Sequence, residues 1–285
     1  MLKCQVIMDV LERIAPKRLA EEWDNPGLLV GSPAQKVERV LVCLDVTEAI
    51  ADRAAQEGCQ LIISHHPVIF RGIKKVRTDQ PIGRLLQKLL KNDIAVFAAH
   101  TNLDIARGGV NDVLAGRLGL KDIVPFDKVK KGEEESVDSL GRMGRLEKPV
   151  SAEEFAAAAA KALDAPFVRL AGNAGRRIEK VALCSGAGSE FIQKAAFLGA
   201  DAYVTGDVRY HEAQSAAELG LALVDAGHFP TEFPVVEVLA ARLGEELARQ
   251  GKGGAVEILT DNRSEDFFTF VSAEGKKSRA GAKKD

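Results

Sequence analysis

Short apolar runs along the chain alternate with stretches in which apolar residues recur every three or four positions. The runs at 40–44, 61–63, 94–99, 181–184, 202–204 and 221–224 are almost continuously apolar, so they predict strands buried on both faces. The stretches at 47–56, 82–91, 110–118, 153–163, 189–198, 211–219 and 232–249 predict amphipathic helices, and Leu2, Val6, Val10 and Ile14 set a further stripe at the N-terminus. Two helix starts carry their own signals. Ser151-x-x-Glu154 reads as a capping box, and Thr231 as a cap with Pro234 in the first turn, where its missing N–H costs little. Strands alternating with helices give an α/β protein with mainly parallel or mixed sheets.

An internal repeat divides the chain. Residues 41–64 align with 182–205 at a constant offset of 141, pairing Ala54 with Ala195, Ala55 with Ala196, Gly58 with Gly199 and Ser64 with Thr205. A second echo at an offset of 128 pairs His100 with His228 and Asp104 with Glu232. Two related, interlinked α/β domains follow from this: the first over 1–120 plus 222–273, the second over 121–221. Between the halves, the charged run KVKKGEEE at 128–135 predicts a loop and 138–146 a further strand. Residues 274–285 have no apolar side chain larger than Ala, so they are expected to form a disordered basic tail.

With 46% hydrophobic and 28% charged residues the composition is globular, which excludes a disordered or collagen-like chain. The formal net charge of −2 leaves no global basic field, so neither nucleic acid nor membrane is an expected partner. No run approaches the roughly 18 apolar residues that a membrane helix needs, and the N-terminus does not read as a signal peptide. Four cysteines without a CxxC pair read as buried free thiols of a reducing cytosol, so the expected location is cytoplasmic.

Histidine alters the picture more than any bulk number. Of the five in the chain, four fall at three predicted strand ends: His65 and His66 before Pro67, His100 four residues before Asp104, and His228 four residues before Glu232. Strand ends are where α/β folds place ligands. Imidazole with carboxylate is the donor set of Zn, Mn, Fe and Ni sites, and four rings with two acids exceed the needs of one tetrahedral ion. Two divalent metal ions per chain are therefore expected, in a cleft between the two domains, where shared carboxylates and an activated water suit hydrolysis.

Other candidates have a bland reading beside the functional one. Trp23, in Trp-Asp-Asn-Pro-Gly, is a pocket wall for a planar base or a core residue beside a turn. Arg71, Lys74, Lys75 and Arg77 are phosphate contacts or a solvated loop. His211 is a proton donor or a capping residue, and Asp45 and Asp207 are outer supports of the metal site or helix caps. Gly186-Ala-Gly188 lacks the third glycine of a dinucleotide fingerprint, and there is no GxxxxGK[ST] loop. No residue is assigned as catalytic acid or base.

The motifs Trp23-Asp-Asn-Pro-Gly27 with Gly31, Ser64-His-His-Pro67, His100-Thr-Asn-Leu-Asp104, Gly141-Arg-Met-Gly144, Thr205-Gly-Asp-Val-Arg-Tyr-His211 and Gly227-His228 with Glu232 occur in order over residues up to about 270. In this the chain resembles the dinuclear metal-centre family labelled GTP cyclohydrolase 1 type 2 homologues, also called Nif3-like. The resemblance implies metal ligands at His65, His66, Asp104, His228 and Glu232. On that pattern His66 and Asp104 serve one ion, His65 and His228 the other, Glu232 bridges, and His100 orients a neighbour. It also implies a metal-dependent hydrolase whose activated water attacks a nucleotide or phosphoester-type substrate, and a homo-oligomer, a hexamer. The alternative is a non-catalytic metal-binding regulatory or scaffold protein forming a ring-shaped oligomer. The chain departs from longer members, which carry an extra domain between the halves, and it has Phe229-Pro230 after the Gly-His pair.

Overall fold

The computed structural model describes residues 1–125 and 139–281. The charged run at 128–135 and the last four residues lie outside the described residues. The chain divides into two compact units, one of Met1–Ala106 with Val235–Asp261 and one of Arg107–Pro234 with Asn262–Asp285.

The first unit is built on a five-stranded sheet in the order Glu257–Thr260, Arg39–Cys43, Leu61–Ser64, Ala95–Ala98, Gly27–Val30. The first four are parallel and Gly27–Val30 closes one edge antiparallel to Ala95–Ala98. Leu41, Ile62 and Val96 pack with Ile50, Ala54, Leu86 and Leu89 from the helices Glu48–Gln56 and Pro81–Lys91. Residues 40–43, Leu61–Ser64 and Ala95–Ala98 are buried at every position, hence on both faces, which is why these strands are unbroken apolar runs. The Thr47 hydroxyl caps Glu48–Gln56 by accepting from Ile50 N at 3.2 Å. The N-terminal helix, Cys4–Ile14, buries Cys4, Ile7, Val10, Leu11 and Ile14. This stripe is rotated from the expected one, because Leu2 belongs to a short strand paired with Val37.

The second unit has a six-stranded sheet in the order Lys121–Pro125, Arg142–Ser151, Arg177–Leu183, Ala202–Thr205, Ala222–Asp225, Arg169–Ala171. The strands Arg177–Leu183, Ala202–Thr205 and Ala222–Asp225 are parallel, and the outer pairings are antiparallel. Ser151 and Glu154 form the expected capping box at the start of Ala152–Ala162. The stretch at 189–198 opens as a 3-10 turn, Ser189–Phe191, before the helix Ile192–Phe197.

These units differ from the expected boundaries in four places, the first being that residues 262–273, expected in the first domain, fall in the second unit. Residues 222–234 belong to the second unit, because Ala222–Asp225 is hydrogen-bonded between Ala202–Thr205 and Arg169–Ala171. Residues 107–120 join it as well, since Leu114, Ala115, Leu118 and Leu120 pack with Phe155, Val181 and Val204. Of the segment expected as a disordered tail, residues 274–281 are ordered around a small hairpin instead. Phe270–Val271 pairs with Lys277–Ser278, and Asp266 N donates to Ala280 O at 2.8 Å, so backbone pairing orders what side-chain composition alone would leave loose. The helix expected at 232–249 is two, His228–Glu232 and Val235–Arg249. Thr231 is therefore no cap. Its hydroxyl lies 2.9 Å from Gly227 O and accepts from Gly186 N at 3.0 Å. Among the described residues no helix is long and apolar enough to cross a membrane.

Candidate metal centre

In the first unit, Leu61–Ser64 and Ala95–Ala98 run in parallel register, Ser64 beside Ala98, so the residues that follow emerge together at one sheet edge. His65 and His66 follow the first strand, and His100 follows the second, just before the five-residue helix Thr101–Ile105. Ring nitrogens of the three histidines lie within 4.8 Å of one another. His65 faces Asp104, Nε2 to Oδ1, at 3.6 Å, and both residues are buried.

Each ring is held by its other nitrogen. His65 Nδ1 lies 2.9 Å from the carbonyl of Ala99, His66 Nδ1 2.8 Å from Asp45 Oδ1, and His100 Nδ1 2.7 Å from Asp24 Oδ1. Carbonyl and carboxylate oxygens accept, so in the neutral rings these contacts favour the tautomer with its proton on Nδ1 and its lone pair on Nε2. Asp24 has no side-chain exposure; it also accepts from Thr101 N at 3.0 Å and from the Thr101 hydroxyl. Burial alone would raise its pKa, but the hydrogen bonds from His100 and Thr101 outweigh that and hold it at about 2.

In the second unit the helix His228–Glu232 follows Ala222–Asp225. The i,i+4 spacing sets His228 Nε2 3.0 Å from Glu232 Oε2. His228 Nδ1 lies 2.8 Å from Asp207 Oδ2. Burial opposes a charge on this imidazole, yet Glu232 and Asp207 together push its pKa up to about 11. The hydrogen bond from His228 in turn holds the Asp207 carboxyl below the usual range. Such a pocket calls for positive charge. A glycine is required beside it: Gly186 has φ +59°, and a Cβ there would stand 2.2 Å from Glu232 Oε1.

Asp45 and Asp207 are accordingly ring supports; the next helices begin after Thr47, whose hydroxyl caps Glu48–Gln56, and after Arg209, whose backbone N–H donates to Glu212. Asp207 adopts a left-handed φ of 55° to reach His228, which a short polar side chain tolerates. Trp23 is exposed, edge-to-face with Phe70 and with His100. Arg71, Lys74, Lys75 and Arg77 are exposed on the segment after the histidine pair, and Arg77 is engaged by Asp79. His211 stands apart, exposed in the first turn of Tyr210–Glu218, with Gln214 and Tyr210 as neighbours. Reading the sequence alone missed three parts of this arrangement: Asp24 as the carboxylate holding His100, Gly186 against Glu232, and Phe70 beside Trp23. Asp24 sits inside a visible motif, but 76 residues separate it from the ring it holds.

A family model described as Duf34/NIF3 (NGG1p interacting factor 3) matches residues 2–264. The chain belongs to the Duf34/NIF3 family. A relative from Clostridium perfringens named GTP cyclohydrolase 1 type 2 homolog is 35% identical over 95% of this chain and 100% of its own length. One of the same name from Streptomyces coelicolor is 38% identical over 86% of this chain and 87% of its own. A third, from Halalkalibacterium halodurans, aligns over 371 positions with 94% of this chain, so it carries residues that this NIF3-family chain lacks. Among solved structures, a Bacillus cereus protein related to NIF3 superposes with a TM-score of 0.90 at 28% identity, covering 95% of this chain and 99% of that one.

Proposed function

We propose that this NIF3-family chain binds two divalent metal ions through His65, His66 and Asp104 of the first unit and His228 and Glu232 of the second, and acts as a metal-dependent hydrolase on a nucleotide or phosphoester-type substrate. The observation that carries the reading is the anchoring of four imidazoles by Nδ1, to Ala99 O, Asp45, Asp24 and Asp207. Metal-binding histidines are held in this way, which fixes the tautomer and presents Nε2 as the donor. The donor set fits Zn, Mn, Fe or Ni. Bound there, divalent ions supply Lewis acidity and a water activated at neutral pH.

The chain's own residues do the rest. Asp45, Asp207 and Ala99 fix ring orientation, Asp104 and Glu232 contribute buried negative charge, and Asp24 holds His100 beside His65 and His66. Family resemblance adds a cytoplasmic homohexamer to the proposal, which sedimentation velocity on the purified protein tests. The central experiment is elemental analysis of purified protein alongside Asp104→Ala and Glu232→Ala, followed by hydrolysis assays on a panel of nucleotides and phosphoesters. About two ions per chain, reduced in both variants, with turnover of at least one panel member, is the expected result. Fewer than about one ion per chain, unaltered by either substitution, rejects the metal reading. Full metal with an untouched panel favours the regulatory or scaffold alternative.

A further inference from the structure

We propose that Trp23 and Phe70 form a ring-binding wall beside the histidine cluster of the first unit, so that the ligand taken there carries a planar heteroaromatic ring. The proposal rests on the reading of that cluster as a ligand site and names the chemistry it selects. Trp23 is the chain's single tryptophan, and it is 59% exposed; Phe70 is 42% exposed. Large aromatic side chains gain most from burial, and where two are left exposed together they mark a surface that something else covers.

These two are not loose surface residues. Next to Trp23, the Asp24 side chain is unexposed and tied to Thr101 and His100. Asn25 Nδ2 donates to Ile69 O at 2.7 Å, stapling the Trp23 segment to the residue that precedes Phe70. The rings meet edge-to-face, with centroids 5.8 Å apart and planes at 60°. Each stands 6.1 Å from the His100 ring, at 74° for Trp23 and 81° for Phe70. The wall is therefore preorganised, leaves aromatic surface open, and shares the His100 ring with the donor cluster. A small ligand stacked on it reaches the imidazoles without rearrangement. Arg71, Lys74 and Lys75 follow Phe70 on the exposed chain and are the cations the proposal offers to an anionic group on the same ligand.

Because Trp23 is the sole tryptophan, fluorescence excited at 295 nm reports on this wall alone. The test titrates Zn²⁺-loaded protein with adenosine 5′-monophosphate and with ribose 5-phosphate, which has a hydroxyl in place of the adenine base, and measures adenosine monophosphate binding to the variants by equilibrium dialysis. The expected result is saturable quenching by the nucleotide and none by ribose 5-phosphate. Trp23→Ala and Phe70→Ala should each weaken nucleotide binding about tenfold, the scale of one lost base–aromatic stack, while Trp23→Phe retains most of it. The proposal is overturned if the nucleotide does not quench, if ribose 5-phosphate binds equally well, or if Trp23→Ala binds like wild type. It is also overturned if Trp23 emission changes with protein concentration alone, since a second copy of the chain then covers the rings. Zinc content is measured on every sample. Lost zinc with ring discrimination intact sinks the metal reading, whereas retained zinc without ring discrimination sinks the wall.

Discussion

Gly186→Ala adds one methyl group and tests the proposed metal-holding role of Glu232 separately from the stability of the second unit. At φ +59° an alanine pays a left-handed penalty of about 1–2 kcal/mol. The added Cβ would also stand 2.2 Å from Glu232 Oε1 and 3.2 Å from His228 Nε2, where ordinary contact begins at 3.4 Å. Glu232 Oε1 must therefore retreat by about 1 Å, several times the roughly 0.2 Å that metal–ligand distances tolerate. The carboxylate is the end of a side chain that can swing, so relief costs little folding energy and falls on the ligand position. Gly199→Ala is the control: φ +74° carries the same backbone penalty, but its Cβ meets only Lys180 Nζ at 3.9 Å. Urea melts of the metal-free proteins should show both variants destabilised by about 1–2 kcal/mol. Competition with a chromophoric chelator should show metal affinity about 10- to 100-fold weaker in Gly186→Ala only. Equal affinity in the two variants refutes the placement of Glu232 as a ligand.

Asp45→Asn and Asp207→Asn should each weaken metal binding about 10- to 100-fold in the same competition assay, because His66 and His228 lose the carboxylates that fix their tautomer; unchanged affinity rejects that role. Asp24 has a folded-state pKa of about 2, below its unfolded value, so its contribution is complete above about pH 4 and lost as pH falls through 2. Urea melts with chelator present should show Asp24→Asn less stable than wild type by about 1–2 kcal/mol at pH 6, with the gap mostly closed at pH 2; a gap independent of pH contradicts it. Cys4 and Cys59 have thiols pushed up to about 11 by burial, burial likewise raises Cys43, and Cys184 is buried as a free thiol. Ellman's reagent at pH 8 should leave the native chain unreacted over minutes and titrate all four thiols in guanidinium chloride; rapid labelling of the native protein refutes the burial.

The parts of the fold legible from sequence are those where one local pattern serves one purpose. Strands such as Leu61–Ser64 and Ala202–Thr205 are buried on both faces and so appear as unbroken apolar runs. The histidines were visible because they cluster at the ends of such runs. Gly27–Val30 and Arg169–Ala171 were not anticipated, since short edge strands are half-buried and lack the continuous run. The assignment of 222–234 to the second unit depends on which strand pairs with Ala222–Asp225, a non-local fact. Thr231 carries a capping residue's chemistry, but the helix there starts at His228, and its hydroxyl binds the glycine loop instead. Asp24 illustrates the same limit within the site: its motif reads as a turn, and only the fold brings the carboxylate to His100.

The sequence repeat acquires a structural meaning at this level. In each unit three parallel strands are adjacent in chain order, an antiparallel strand that precedes all three in sequence lies beside the third, and a five-residue helix follows the third strand. The offset of 141 carries Leu61–Ser64 onto Ala202–Thr205, and therefore His66 onto Asp207. One position thus bears an imidazole in the first unit and, in the second, the carboxylate that holds one. His100 and His228 occupy matching places before and within the five-residue helices, but their supports come from different elements, Asp24 from the segment leading into the edge strand and Asp207 from the end of the middle strand. A repeated strand–helix frame accounts for why donors collect at strand ends in both units. The side chain at the position shared by His66 and Asp207 decides whether that end presents a ring or anchors one, which is why the first unit has three clustered imidazoles and the second a single imidazole between two carboxylates.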